Sequence, residues 1–243
     1  MMHLSSIMLA IDSVTGSRAV IQAAAELAYK SGAELSAVFI EEDEWFKASR
    51  FNFSFQVSSY TGELLPFDEE VLSEQAKAHS RLLEQMILRT GQSMDIKCSY
   101  YSARGPVIRE LMNSAAGRDL VIIGRNRIPD GRNKKIGRTT QFLTENCEIP
   151  ILVWNGRPQW PDFVTGIVQG TGANQKVMDW TTGLGKLLKR KKELMRADEP
   201  KPELTPQKLA EDRNRLIVIE RTRDEKGISW ASLDKYPNSV LLL

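Results

Sequence analysis

Between residues 119 and 153 an apolar strand, Asp-Leu-Val-Ile-Ile-Gly, runs into a basic loop and then into Gly-Arg-Thr-Thr at 137–140. A short helical stretch follows, and Ile-Pro-Ile-Leu-Val closes the segment at 149–153. Two such apolar runs joined through a helix read as neighbouring parallel strands of a sheet buried on both faces. A glycine directly after a buried strand lets a ligand approach the backbone, and the following helix offers unpaired N–H groups to an anion. The segment therefore points to a parallel α/β sheet with a phosphate-sized anion at its strand ends.

Upstream, the same alternation recurs. An apolar run at 6–11 ends at Asp12, Ser13, Thr15 and Gly16 signal a turn, and Ser17 is placed to cap a helix over 18–31 that closes at Gly32. A second strand at 35–40 gives β-α-β, the unit of a right-handed parallel crossover. Residues 45–67 carry aromatics without a lasting period and read as an irregular excursion. Val71, Ala76, Leu82, Leu83, Met86 and Ile87 recur at helical intervals and predict a helix over 68–89 closed by Gly91. A strand at 96–102, a helix at 106–116 opened by Gly105 and Pro106, a strand at 120–123, a helix at 139–146 and a strand at 149–154 complete the pattern. Five strands alternating with four helices predict a doubly wound α/β domain with a five-stranded parallel sheet.

Composition narrows the function classes. Lys and Arg total 33 against 31 Asp and Glu, a net charge of +2, so no global field calls for nucleic acid or an acidic membrane. Cys98 and Cys147 have no Cys-x-x-Cys spacing, and His3 and His79 stand outside any ligand cluster, so no metal site is expected. The cysteine usage fits a reducing, cytoplasmic setting. No run of apolar residues is long enough for a membrane span, and the beginning of the sequence lacks the pattern of an export signal.

The order of these elements resembles the universal stress protein family over about residues 4–155. The matching features are Ala-Ile-Asp at 10–12, Ala-Val-Phe-Ile-Glu at 37–41, the Gly105-Pro106 helix start, the strand at 119–124 and Glu-Ile-Pro-Ile-Leu-Val at 148–153. The resemblance implies an adenine nucleotide alpha hydrolase-like fold, a stress-associated role, and ATP or a related adenine nucleotide as ligand, with Mg²⁺ as a possible companion. Nucleotide-binding members carry a phosphate loop written Gly, two residues, Gly, nine residues, Gly, then Ser or Thr. Gly124 and Gly137 keep its outer spacing, whereas Arg127 stands at the middle glycine and Arg138 at the hydroxyl position, with Thr139 and Thr140 following. Carried over by position, Asp12 and the adjoining Ser13 face the ribose or a metal, the backbone near Phe39 meets adenine, and Gly124, Arg125, Arg127, Gly137, Arg138 and Thr139 surround the phosphates.

Several of these positions also have plainer readings. Asp12 is equally a turn former, Gly124 and Gly137 serve turn geometry without a ligand, and the cations of the 125–138 loop form a solvated face. The acidic cluster 41–44 reads as solvated rather than as a magnesium site. No nucleophile elbow, Walker loop or zincin motif is present, so no catalytic activity is expected, and the loop lacks the interleaved aromatics of a nucleic-acid binder.

The second half echoes the first. Arg-Leu-Ile-Val-Ile-Glu-Arg-Thr-Arg at 215–223 parallels 119–127, and Tyr-Pro-Asn-Ser-Val-Leu-Leu-Leu at 236–243 parallels the closing strand. A run at 164–168, a turn with Gly170, Gly172 and Asn174, and a helix at 175–190 match the first strand and helix more loosely. The expected organisation is a full domain at 1–156 and a degenerate, truncated second α/β repeat at 157–243, with 197–207 as a connector. The run 186–192 is placed on the helix as a solvated basic face. Glu220 replaces Gly124 in this copy and would repel phosphate. The family resemblance implies pairing through the last strands, as a pseudo-dimer within the chain or as a homodimer. Two functions stay open: a nucleotide-binding regulator, and a non-binding interaction module using the 45–67 aromatics toward a protein partner.

Overall fold

The computed structural model describes residues 3–11, 17–42, 55–57, 62–66, 69–125, 137–168, 174–196, 209, 212, 214–221 and 238–243. Strand β1 (Ser6–Ile11) leads into helix α1 (Ser17–Ser31) and strand β2 (Glu34–Glu42). Helix α1 stops because Gly32 takes a left-handed φ of 71° and the N–H of Ala33 closes back on the carbonyl of Ala28 at 3.0 Å. Strands β3 (Phe55–Val57) and β4 (Leu64–Pro66) form a small antiparallel ribbon within the excursion. Helix α2 (Glu69–Met94), strand β5 (Cys98–Gly105), helix α3 (Val107–Ala115), strand β6 (Leu120–Gly124), helix α4 (Arg138–Asn146) and strand β7 (Ile151–Trp154) follow.

Helix α2 is longer than its sequence predicts, and Gly91 lies inside it. A Cβ at residue 91 would stand 2.7 Å from the Cys98 sulfur and 2.8 Å from the Cys98 Cβ, so this glycine serves close packing of α2 on β5. The helix ends instead at Asp95, whose φ of 52° lets the N–H of Ile96 reach the Gly91 carbonyl at 3.0 Å. Val71 and Leu82, which the helical spacing suggested as core, are 44% and 46% exposed, while Leu83 and Ile87 are fully buried.

The second half contributes β8 (Phe163–Val168), α5 (Gln175–Leu188), β9 (Lys191–Arg196), β10 (Arg215–Ile219) and β11 (Ser239–Leu242). The basic run 186–192 is thus divided between a helix end and an edge strand. Lys189 adopts φ 56°, and the N–H of Arg190 closes on the Gly185 carbonyl at 2.8 Å, which ends α5 two residues before β9 begins. Leu194 is 44% exposed on that strand.

All strands except the ribbon join one nine-stranded sheet in the order β5-β2-β1-β6-β7-β11-β10-β8-β9. Neighbours are parallel on each side of a single antiparallel junction between β7 and β11, which pairs Val153 with Val240, Leu152 with Leu241 and Ile151 with Leu242. The run β2-β1-β6-β7 is matched in order and direction by β9-β8-β10-β11. Alternate strand residues face opposite layers. One layer holds α1, α2 and α5 over Ile7, Leu9, Ile122, Leu152 and Leu216. The other holds α3 and α4 over Met8, Val121, Ile123 and Val153, and Leu209 over Ile217, Ile219 and Val240. This is a doubly wound α/β architecture. Among the described residues no helix is long and apolar enough to cross a membrane.

Candidate functional site

Strand β1 is the point where the order of the sheet reverses, since β2 lies on one side of it and β6 on the other. Its start is locked by Asp119, one residue ahead of β6. The carboxylate accepts hydrogen bonds from the N–H of Ser5 at 2.8 Å, the N–H of Ser6 at 2.9 Å and the Ser5 hydroxyl at 2.7 Å. Burial alone would raise the Asp119 pKa, but these bonds from Ser5 and Ser6 outweigh it and hold the carboxyl below its ordinary value. With the starts aligned, Ala10 lies beside Val38 and Ile123, and Ile11 beside Phe39, at the far end of the sheet.

A cavity of about 360 Å³ opens at those strand ends, between the two helical layers. Ala10, Ile11, Phe39 and Ile123 form its floor, Leu72 and Ala76 of α2 one wall, and Val107 and Leu111 of α3 another. The polar residues on its surface are Glu41, Gln75, His79 and Thr139. Glu41 is held by Arg104, its cross-strand neighbour, with Nε 3.2 Å from the carboxylate. An apolar pocket of this volume with a few polar groups, at the carboxyl ends of parallel strands, is the usual form of a small-molecule site in such sheets.

Thr139 belongs to the first turn of α4, whose N-cap is Gly137 and which has no side-chain cap. The first amide groups of that helix carry its positive dipole end, which suits an anion. Gly137 has φ −60° and ψ 149°, a conformation open to any residue. Gly124 ends β6 outside the left-handed region, and a Cβ there would meet nothing nearer than Val20 Cγ1 at 3.9 Å. Backbone conformation therefore does not by itself require glycine at either position.

The structure brings Phe39 and Thr139 to one cavity, and sets Gly124 at the end of the same β6 that contributes Ile123. Arg125 follows β6, and its N–H donates to the Trp154 carbonyl at 2.6 Å. Arg138 is the first residue of α4. Asp12, Ser13 and Arg127 lie outside the described residues, as does most of the 125–138 loop and of the acidic cluster beyond Glu42. Among the described residues no group of three His, Cys, Asp or Glu side chains is placed to hold a metal ion.

The α2 wall was not visible in the sequence as part of a site. Leu72, Gln75, Ala76 and His79 share one helix face, and that spacing is the same whether a face lines a cavity or a core.

No protein-family model and no curated protein matches the sequence. Solved structures do. The chain aligns over 99% of its length with 92% of a functionally unknown protein from Pseudomonas aeruginosa PAO1, at 15% identity and a TM-score of 0.60. It aligns over 98% of its length with 97% of a universal stress protein from Archaeoglobus fulgidus, at 11% identity and a TM-score of 0.58. With its parallel strands, two helical layers and cavity at the strand ends, the chain has the fold of the universal stress proteins.

Proposed function

We propose that the chain is a stress-associated regulatory protein of the universal stress type that binds ATP or a related adenine nucleotide and carries no catalytic activity of its own. The observation that carries this reading is the cavity at the ends of β1, β2 and β6, largely apolar and bordered by the uncapped N-terminus of α4. An aromatic base fits the apolar walls, and a phosphate chain fits the amide groups after Gly137. Arg125 and the basic residues of the following loop add a favourable field, while the residue 12 carboxylate suits ribose hydroxyls. Glu41 is engaged with Arg104, so Mg²⁺, where present, would be held chiefly by the phosphates themselves. A nucleotide that favours one conformation would then alter partner binding, in a cytoplasmic setting.

We read 157–243 as a shortened second copy of 1–156, making the chain a pseudo-dimer. Support comes from the matched strand order and from local pairs of bonds: the N–H of Arg125 on Trp154 and that of Arg221 on Leu243, and the side chains of Asp119 and Asn214 on the amides that precede β1 and β8.

A Gly137→Asp substitution tests the site. Asp is a good N-cap in this backbone conformation, so the folded chain keeps its stability, but the carboxylate occupies the anion position. Saturating ATP at a hundred times its Kd stabilises a binder by about 2.7 kcal/mol, roughly 5–10 °C in Tm for a chain of this size. That shift is expected in the native protein and lost in the variant.

The second reading, an interaction module without nucleotide, draws on the β3-β4 ribbon, where Phe55, Val57 and Leu64 are 57%, 66% and 68% exposed. Mass spectrometry of natively purified, then denatured protein separates the two, since a retained adenine nucleotide supports the first and its repeated absence, with no thermal shift, supports the second.

A further inference from the structure

The two ends of the cavity differ in what they offer a ligand. Thr139 and the α4 N-terminus mark the end suited to phosphate. The other end lies between β2 and α2, where Phe39, Leu72 and Ala76 present apolar surface to a flat ring. Two polar side chains border that end from the same face of α2: Gln75 and, one turn later, His79. No described Lys or Arg lines the cavity, and Glu41 is held by Arg104.

We infer that Gln75 selects the base of the bound nucleotide and makes this cavity prefer adenine to guanine, with His79 strengthening the binding of either base, an inference that rests on the nucleotide reading above. A carboxamide presents one acceptor and one donor side by side, the complement of adenine N6–H₂ and N7. Guanine presents O6 and N7, two acceptors, which a guanidinium satisfies and a carboxamide does not. The His79 imidazole supplies a further hydrogen-bonding group at the rim of the pocket. Gln75 is the discriminating residue; His79 strengthens binding of either base. Both side chains are exposed in the free protein, so replacing them leaves the core intact.

The test is isothermal titration and thermal shift on the full chain with ATP, GTP and inorganic tripolyphosphate. The native protein is expected to bind ATP roughly tenfold more tightly than GTP, the usual discrimination of a paired side chain and base edge. Gln75→Leu should shrink that ratio at least about fivefold while tripolyphosphate binding and the unliganded Tm stay unchanged. Gln75→Arg should move the preference toward GTP, and His79→Leu should weaken both nucleotides without touching tripolyphosphate. Equal affinity of the native chain for ATP and GTP, or a Gln75→Leu protein of normal Tm that keeps the native ratio, overturns the inference and leaves the nucleotide reading standing. Failure of ATP and GTP alike to bind overturns both.

Discussion

Replacing Gly124 with alanine separates a glycine kept for a ligand from one kept for the fold. The residue ends β6 with no positive φ, and the nearest atom to an added Cβ would be Val20 Cγ1 at 3.9 Å, an ordinary contact. Alanine in a strand avoids the entropy that glycine loses on folding, a gain of about 0.5–1 kcal/mol. For a chain of this length that is a rise of about 1–4 °C in Tm. Gly166 in β8 supplies the contrast, because a Cβ there would stand 2.3 Å from Thr181 Oγ1, 2.9 Å from Leu194 Cδ2 and 3.2 Å from Val177 Cγ1. Overpacking of this kind costs about 1–3 kcal/mol, which set against the same entropic gain leaves a net loss of about 1 kcal/mol at the middle of both ranges and up to about 2.5 kcal/mol. Calorimetry of both variants, with and without ATP, reads the two effects together. Gly124→Ala is expected to melt no lower than the native protein and to show a smaller ATP shift; Gly166→Ala is expected to melt lower. A Gly124→Ala protein that loses more than about 2 °C, set against the rise expected from its entropic gain, would show the glycine to be a structural requirement. A full ATP shift in that variant would show the backbone approach at residue 124 to be irrelevant to binding.

Asp119 gives a pH test. Its folded pKa is depressed, so its contribution to stability is fully present above the unfolded carboxylate value of about 4 and is lost as the pH falls through the lower folded value. Asp119→Asn should therefore flatten the acid limb of the Tm profile below about pH 4; an unchanged limb would contradict the hydrogen bonds assigned to Ser5 and Ser6. Arg215, 11% exposed in its side chain, binds Asp212 at 2.6 Å and Glu193, donates to Thr165, and stacks on the Phe163 ring at 4.5 Å. Arg215→Ala should destabilise by about 2 kcal/mol in urea unfolding, since two half-exposed carboxylates lose their partner; a loss below about 0.5 kcal/mol would mean that solvent screens the cluster.

Much of the first half was legible in the sequence because its strands are continuous apolar runs and its helices have one apolar stripe. Gly32 behaves as a helix terminator should, and β1, α1, β2, α3, β6 and α4 fall within a residue or two of their signals. The misread helix ends have one physical cause. Helices α2 and α5 are closed by Asp95 and Lys189 in the left-handed region, where the sequence offers no glycine to mark the stop. Gly91, the glycine that does appear, answers to the Cys98 side chain across the layer, a contact that no local pattern records. The site was legible where it rests on strand ends and on a glycine before a helix, and illegible on α2, whose cavity face and core face share one periodicity. Pairing of residues far apart in the chain was suggested by the echo between its two ends, while β9 was hidden inside a run of lysines.

Strand β11 lies between β7 and β10, so four residues complete the backbone ladder for both flanking sheets at once. Ser239 also bonds to Asn155 across the junction. Joining β11 to β7 brings together residues separated by most of the second half, a contact that carries a loop-closure cost in entropy. Docking of this one tetrapeptide therefore covers two inner margins, those of β7 and β10, at the same time, and leaves β5 and β9 as the outer margins of the sheet.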